Sequence, residues 1–293
     1  MKMDMRKRGS FFILFFVLTI AVSQTPDIFR AEYMLMPKND LDVKTSRIKL
    51  LVNAPINVFK DDILVIGAEY NQYDYEIPAI LTEDAQEALA KFYVVDFNLG
   101  YVYKWNEEWR LIGLVTPRWA SNFTDEFDER AFTVNATAGV FQDKKNIEKP
   151  FRLVLGLSYN SSSPIRVPLP VIYYEKRFHE NWAYTLGVPK TGLKYITKKN
   201  HFFQTELILD GYYVNIQNDI LLADNSTSTD VSSTSFLITL GYQYKFTKDV
   251  SFYLMGGHSI IQNGTLRDTD RNSIFTLNNE PGLYLRTGVR IGI

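Results

Sequence analysis

The sequence predicts an all-β protein, a closed antiparallel transmembrane β-barrel of about fourteen strands behind an exported leader. Three observations predict it. Apolar and polar side chains alternate over whole segments, again and again along the chain. Those segments run to about 10–15 residues, whereas globular strands are nearer 5 or 6 and a tilted membrane strand needs about 9–11. Aromatic residues make up 14% of the chain and gather at segment ends, where a membrane barrel carries its interfacial girdles.

The chain opens on a secretory signal. Lys2, Arg6, Lys7 and Arg8 form a basic start, Phe11 to Ala21 is a short apolar run, and Ala21-Val22-Ser23 is a small-x-small cleavage site. Residues 1–23 therefore read as a signal peptide and 24–293 as the mature chain, beginning at Gln24. The apolar run is short of the roughly 20 residues of a membrane helix, and no second long apolar run follows. The absence of cysteine excludes a lipoprotein anchor, disulfides and thiolate metal sites. A formal charge of −1 lacks the basic excess from which nucleic-acid binders draw affinity. No linker or compositional break divides the mature residues, so one large barrel is expected.

Successive side chains of a strand point to opposite faces. Between Lys91 and Trp105, one face collects Tyr93, Val95, Phe97, Leu99, Tyr101, Tyr103 and Trp105. The other collects Asp96, Asn98, Gly100 and Lys104, with Val94 and Val102 as exceptions. The same alternation sets Ile48, Leu50 and Val52 against Arg47, Lys49 and Asn53, and Phe236, Ile238 and Leu240 against Ser235, Thr239 and Gly241. It ends with Leu283, Leu285, Val289 and Ile291 against Tyr284, Arg286, Gly288 and Arg290. A soluble sandwich alternates too, but segment length and terminal aromatics favour lipid. In lipid no strand edge can stay unpaired, so the sheet must close.

The predicted strands are 28–36, 45–58, 62–77, 91–105, 109–121, 131–142, 150–161, 165–178, 181–189, 191–198, 201–216, 234–247, 250–263 and 281–293. The stretch 181–198 reads either as two short strands about Val188-Pro189 or as an irregular excursion, which would leave twelve strands. Tight turns near 60–61, 106–107, 180–181, 198–200 and 248–249 alternate with longer loops near 37–44, 78–90, 122–129, 217–233 and 264–279. Outer-membrane barrels place such short turns in the periplasm and long loops outside. Thr82 to Ala90 reads as a brief helix, with Thr82 as N-cap and Glu83 and Asp84 in its first turn. Pro168 and Pro170 predict a bulge. The Ser/Thr-rich Asn225 to Ser235 predicts a mobile outer loop.

The leader ending Val22-Ser23-Gln24, the long alternating hairpins and the terminal strand Leu283 to Ile293 resemble the outer-membrane β-barrel proteins of Bacteroidota. Among these the chain is similar to a family of barrels of unknown function. The likeness covers most of the mature chain. It implies a bacterial outer-membrane location, with outer-membrane lipid and the barrel-assembly machinery as partners. Such barrels usually end in an aromatic residue that this machinery reads, and here the last residue is Ile293. The resemblance implies no catalytic residue.

Parity turns Arg47, Lys49, Lys104, Arg110, Arg118, Arg152, Lys245, Arg286 and Arg290 toward the lumen, with Glu69, Asp96, Glu206 and Asp210. Such charges line an ion-selecting pore or pair with each other in a plugged barrel. Their cationic excess predicts anion preference if a pore exists. The turn at Asn106 sets Trp105 opposite Trp109, Tyr103 opposite Leu111 and, inside, Asp96 opposite Arg118. Leu51, Val94, Val102, Ile112, Leu114, Val154 and Leu237 are the apolar candidates for the inner wall.

Catalytic and metal chemistry find little support. His258 and Ser259 are adjacent, so they face opposite ways on a strand and form no nucleophile–base pair without a bulge. Pairing Tyr244 with Leu254 places His258 on the lipid side, and His179 and His201 sit at turn ends. Asp125, Glu126, Asp128 and Glu129 form an acidic loop without the spaced pattern of a dedicated Ca²⁺ site. No Gly-rich phosphate loop occurs. The expectation is a porin-like or structural barrel with a polar, cation-lined lumen, serving small solutes without a cofactor, metal or nucleic acid. A surface-loop binding or adhesion protein is the alternative, and a lipid-modifying enzyme a third reading that the geometry at His258 opposes.

Overall fold

The protein is described by a computed structural model over residues 27–59, 61–77, 81–124, 128–160, 167–198 and 200–292. The signal peptide 1–23 and the acidic-loop residues Asp125 and Glu126 lie outside the described residues. The strands are β1 (Asp27–Met36), β2 (Lys44–Val58), β3 (Asp62–Glu76), β4 (Lys91–Lys104) and β5 (Trp109–Ser121). Then come β6 (Phe132–Lys144), β7 (Phe151–Tyr159), β8 (Leu169–His179), β9 (Trp182–Gly187) and β10 (Lys190–Lys198). The last are β11 (His201–Leu221), β12 (Thr227–Lys245), β13 (Val250–Arg267), β14 (Ser273–Asn278) and β15 (Leu283–Gly292).

Each strand from β1 to β13 pairs antiparallel with the next, β13 pairs with β15, and β15 returns to β1 through Arg290 opposite Arg30. The ring closes on fourteen strands, and β14 stands outside it, paired with the far end of β13. The choice between twelve and fourteen falls to fourteen. β9 and β10 are separate strands joined at Val188-Pro189, with Thr185 opposite Gly192 and Trp182 opposite Tyr195. Closure satisfies every interior ladder, which hydrocarbon demands.

The two faces differ as alternation requires. Outward Leu240 is 71% exposed and Leu99 54%, while Thr239 and Asp96 on the inner face of the same two strands are 1% and 4% exposed. Large exposed apolar side chains recur on strand after strand around the ring. A soluble monomer rarely exposes a contiguous apolar patch beyond a few hundred Å², so lipid is the solvent this face is matched to.

The strands differ from expectation at one side of the barrel. β11, β12 and β13 have 21, 19 and 18 residues, about twice the 9–11 needed to cross. Stretches 217–233 and 264–279, expected as loops, are therefore largely paired strand, with Ile220 opposite Ser228 and Asp230 opposite Arg267. The Ser/Thr-rich stretch is not a mobile loop: Ser228 is fully buried and Val231 nearly so. Composition suggested a loop, yet Thr227, Thr229, Val231 and Thr234 are β-branched and suit a pleated surface.

Two smaller corrections follow. Pro170 pairs in register with Leu157 and makes no bulge, because it sits at the start of β8 just after Pro168, where a missing N–H is tolerated. Tyr244 faces Phe252, and Leu254 faces Tyr242. This two-residue shift keeps parity, so His258 still lies on the outer face.

The expected helix is present as α1 (Glu83–Leu89), and the Thr82 hydroxyl accepts from the Ala85 amide at 3.3 Å. Its buried residues Ala85 and Leu89 join Phe92 and Val94 of β4 and Val214 and Ile216 of β11 in one apolar cluster. These strand residues share the inward parity, so α1 lies within the mouth of the barrel at the loop end.

Candidate functional site

The lumen is the candidate site, and it changes character along its length. At mid-height a belt of ion pairs crosses it. Glu32 on β1 accepts from Arg47 on β2 at 2.8 Å and from the Tyr253 hydroxyl on β13 at 2.6 Å, and Arg286 on β15 lies 3.8 Å away. Arg47 reaches Asp210 on β11 at 3.4 Å. Glu206 on β11 is paired with Lys190 on β10 and with Arg286 at 3.6 Å. Glu32 and Glu206 are 5% and 3% exposed, so these are buried charges that persist because they are paired. Met34, Ile208, Leu237, Met255 and Tyr284 fill the space between them. Just beyond lies a cavity of about 20 Å³, lined by Arg47, Tyr73, Asp210, Ser235 and Gln262. That is room for about one water molecule.

Toward the loop end the described residues cross and fill the lumen. β11 leans across to β5, with Asn215 opposite Ser121 in a parallel pairing between strands six places apart in the ring. Asn122 holds this crossing: its carbonyl oxygen accepts from the Gln217 amide at 2.9 Å, and its amide donates to the Ala88 carbonyl at 3.1 Å. One side chain thus ties α1, the end of β5 and β11 together. Arg130 adds an ion pair to Asp219 at 3.0 Å. Above α1, Val231, Leu266 and Leu277 from the extended strands complete the apolar cap.

Toward the turn end the inner wall is wetter on one side. Val65, Val102, Ile112 and Leu114 of β3 to β5 are half-buried, in contrast to Tyr73, Phe92 and Val94 higher on the same wall. The apolar candidates therefore do not form one patch. Val94 belongs to the outer cap, Leu237 to the belt, and Leu51, Val102, Ile112, Leu114 and Val154 to neither cluster.

The sequence-predicted charges separate into four groups. Arg47, Glu206, Asp210 and Arg286 meet in the belt. Lys49 and Glu69 pair at 2.7 Å beside it, Asp96 and Arg118 form a two-pronged pair at 2.6 and 2.7 Å, and Arg152 binds Asp143 at 2.8 Å. The expected Asp96–Arg118 register is the observed one. Lys104 and Arg110 sit at the rim, where Lys104 binds Asp61 and Glu107, each at 2.8 Å, and Arg110 donates to the Asp61 carbonyl at 2.9 Å. Lys245 and Arg290 remain on the inner wall near the turn end. Arg290 donates to Gln243 at 3.1 Å and Ser251 at 3.3 Å, and the Lys245 ammonium lies 5.7 Å from the Phe202 ring centre.

Sequence reading missed Glu32, the centre of the belt, although Ala31 and Tyr33 outward set its parity inward. It also missed Lys190, hidden by assigning 188–191 to a turn, and Asp143, Glu175, Lys194, Tyr253 and Tyr284. Which inward charges meet across the lumen depends on ring order, and no local pattern carries that.

His258 and Ser259 lie on opposite faces, as alternation required. The His258 ring contacts the Ser259 carbonyl at 2.7 Å, while the Ser259 hydroxyl accepts from the Gly282 amide at 2.8 Å. In the acidic loop, Asp128 accepts from the Arg130 amide and guanidinium, each at 2.8 Å. Among the described residues, no group of three acids or histidines is disposed to hold a metal.

A family model described as "Domain of unknown function (DUF6268)" matches residues 45–293. The chain belongs to that family. The match takes in every strand after β1, whereas β1 itself, which closes the ring and supplies Glu32, precedes it. Among curated proteins no sequence matches. Solved structures similar to this DUF6268 chain include the KdgM porin in complex with disordered oligogalacturonate, at 10% identity and a TM-score of 0.36, covering 90% of this chain and 99% of that one. The NanC porin stands at 12% identity and 0.38, covering 90% and 98%. LpxR from Salmonella typhimurium stands at 11% and 0.40, covering 90% and 100%. Porins and a differently named barrel appear together, and likenesses of this degree carry no argument about activity.

Proposed function

We propose that this DUF6268 chain is a porin-like barrel of a bacterial outer membrane, of the Bacteroidota type, that is shut in the state described and passes small anions when its outer seal opens. The carrying observation is the asymmetry of the lumen. The loop end is closed by a seven-residue helix and leaning strands, while the turn end keeps half-solvated walls and, among the described residues, cations with no carboxylate oxygen within 4.0 Å. A barrel needed only as scaffold has no use for that gradient. With the short turns in the periplasm, the wet half faces inward and the seal faces out. The basic leader supports export, and the apolar outer face supports the membrane as site. Catalysis forms no part of this reading, since His258 and the Ser259 hydroxyl face apart.

The test is planar-bilayer conductance of the refolded protein under a salt gradient, compared with a variant in which 82–90 is replaced by a Gly-Ser linker. Brief or small steps are expected from the native chain, and larger, steadier, anion-selective steps from the variant. Two well-folded but silent barrels would sink the proposal. They would shift weight to the extended sheet of β11 to β14, whose reach beyond the membrane is the observation favouring surface display.

A further inference from the structure

Most inward cations of the described lumen have a carboxylate within salt-bridge distance: Arg30 has Asp27, Arg47 has Glu32, Lys49 has Glu69, Arg118 has Asp96, and Lys190 has Glu206. Five toward the turn end differ: Arg110 and Arg177 donate to the backbone carbonyls of Asp61 and Glu180, and three more stand on the wall of β10, β12 and β15. Among the described residues, Lys194, Lys245 and Arg290 have no carboxylate oxygen within 4.0 Å. Two of them share a row, and the third lies within reach of their charge. Lys245 stands opposite Ser251, and Ser251 opposite Arg290, in one register row across β12, β13 and β15. Lys194 stands on β10 opposite Gln204. Lys194 and Arg290 both lie near enough to repel Lys245, and Arg290 to repel Lys194.

The acids whose fields reach this trio are Asp27, Glu175, Glu206 and Asp249. Asp27 is held by Arg30, Glu206 by Lys190, and Glu175 accepts from the Tyr173 hydroxyl. All three cations are half-buried, so they are open to the lumen. Like charges gathered on one wall of a lumen with low-dielectric surroundings focus field and concentrate counter-ions. Ser251, Gln243 and Gln204 stand beside them as neutral hydrogen-bonding groups.

We propose that Lys194, Lys245 and Arg290 form a binding site for a small oxyanion carrying two or more negative charges, reached from the turn end of the barrel. Ammonium and guanidinium donors converging on one oxyanion make charge-assisted hydrogen bonds, and the bound charge relieves the repulsion among them. The site names the class of solute for the conduit reading and rests on it only for the direction of access. Binding itself needs no passage.

The experiment is isothermal titration of the refolded full chain in zwitterionic detergent, with inorganic pyrophosphate in one arm and citrate in the other. Saturable binding of one equivalent, weakened by added salt, is expected in at least one arm, and the arm that binds tells a phosphate from a carboxylate source. K194Q/K245Q should lower the affinity by about tenfold or more, the equivalent of at least one charge-assisted contact. Lys44→Gln, at the opposite rim, should leave it unchanged. If the double variant does not refold, R290Q carries the same expectation. Absence of saturable binding in both arms, or undiminished binding by folded variants, overturns the site. Binding by a barrel that is silent in bilayers keeps the site and rejects the conduit, whereas conductance without binding does the reverse.

Discussion

Glu32 shows how one carboxylate can organise a lumen. It is nearly inaccessible to water, yet it takes a short bond from Arg47 and another from Tyr253, with Arg286 close by. Its removal leaves the buried Arg47 and the partly buried Arg286 each short of a partner, and breaking a buried pair from one side costs about 3–5 kcal/mol. Glu32→Ala should lose stability on that order in urea unfolding followed by tryptophan fluorescence. Glu76→Ala removes an exposed partner of Lys44, and such pairs are worth about 0–1 kcal/mol. Equal losses in the two variants would mean that the belt is ornamental. Asn122 has a comparable role at the seal, but through neutral bonds to three elements.

At the scale of elements, α1 is too short to persist alone, since isolated helices below about 12–15 residues are marginal in water. Its place is held by Ala85 and Leu89 in the cap. Truncating a fully buried leucine costs about 2–5 kcal/mol in a rigid core, so Leu89→Ala should undock the helix rather than unfold the barrel. The chain has no cysteine, which makes Val94→Cys beneath α1 a clean reporter. Its maleimide labelling should be slow in the native background and fast with Leu89→Ala, and equal rates would refute the plug. The turn between β13 and β14 offers a pH test outside the membrane. The Asn272 side chain and backbone amide donate to Asp268 at 3.0 and 2.8 Å and hold its carboxyl below the usual range. A depressed carboxyl stabilises fully above its unfolded pKa of about 3.9 and loses that contribution as pH falls through the lower folded value. Amide exchange in 273–278, corrected for intrinsic rate, should therefore accelerate in that acid window, and D268N should abolish the change.

For the whole molecule, net charge is a poor guide and its placement a good one. The chain carries −1 overall, yet among the described residues inner-wall cations without a carboxylate partner gather at the turn end, while loop acids such as Asp224 and Asp270 lie outside. The same bilayer experiment that tests conduction should give a reversal potential of anionic sign, moving toward zero when Lys194 and Lys245 are both replaced by glutamine. A cation-selective reversal potential would show that the belt carboxylates, rather than the basic trio, set the field along the path. The closed ring makes these regions separable. Strand pairing carries the fold, so belt, seal and basic wall can be altered one at a time.

Alternation determined the architecture: period-two patterning marks the two faces of the strands, and with the tight turn at Asn106 it set the Asp96–Arg118 register and the outward face of His258, while it left the ring at twelve or fourteen strands. The helix was legible too, because Thr82, Glu83 and Asp84 form a local start signal. Tertiary structure decided the rest. Ser/Thr-rich segments became strand because neighbouring strands were there to pair with them. Parity could assign each of the thirteen predicted charges to a face, but it cannot say which of them meet, since Arg47 finds Asp210 and Asn215 finds Ser121 only across a closed ring. A strand reads its own two faces locally. Partners across a lumen are set by ring order, strand tilt and the leaning of β11, which belong to the assembled barrel.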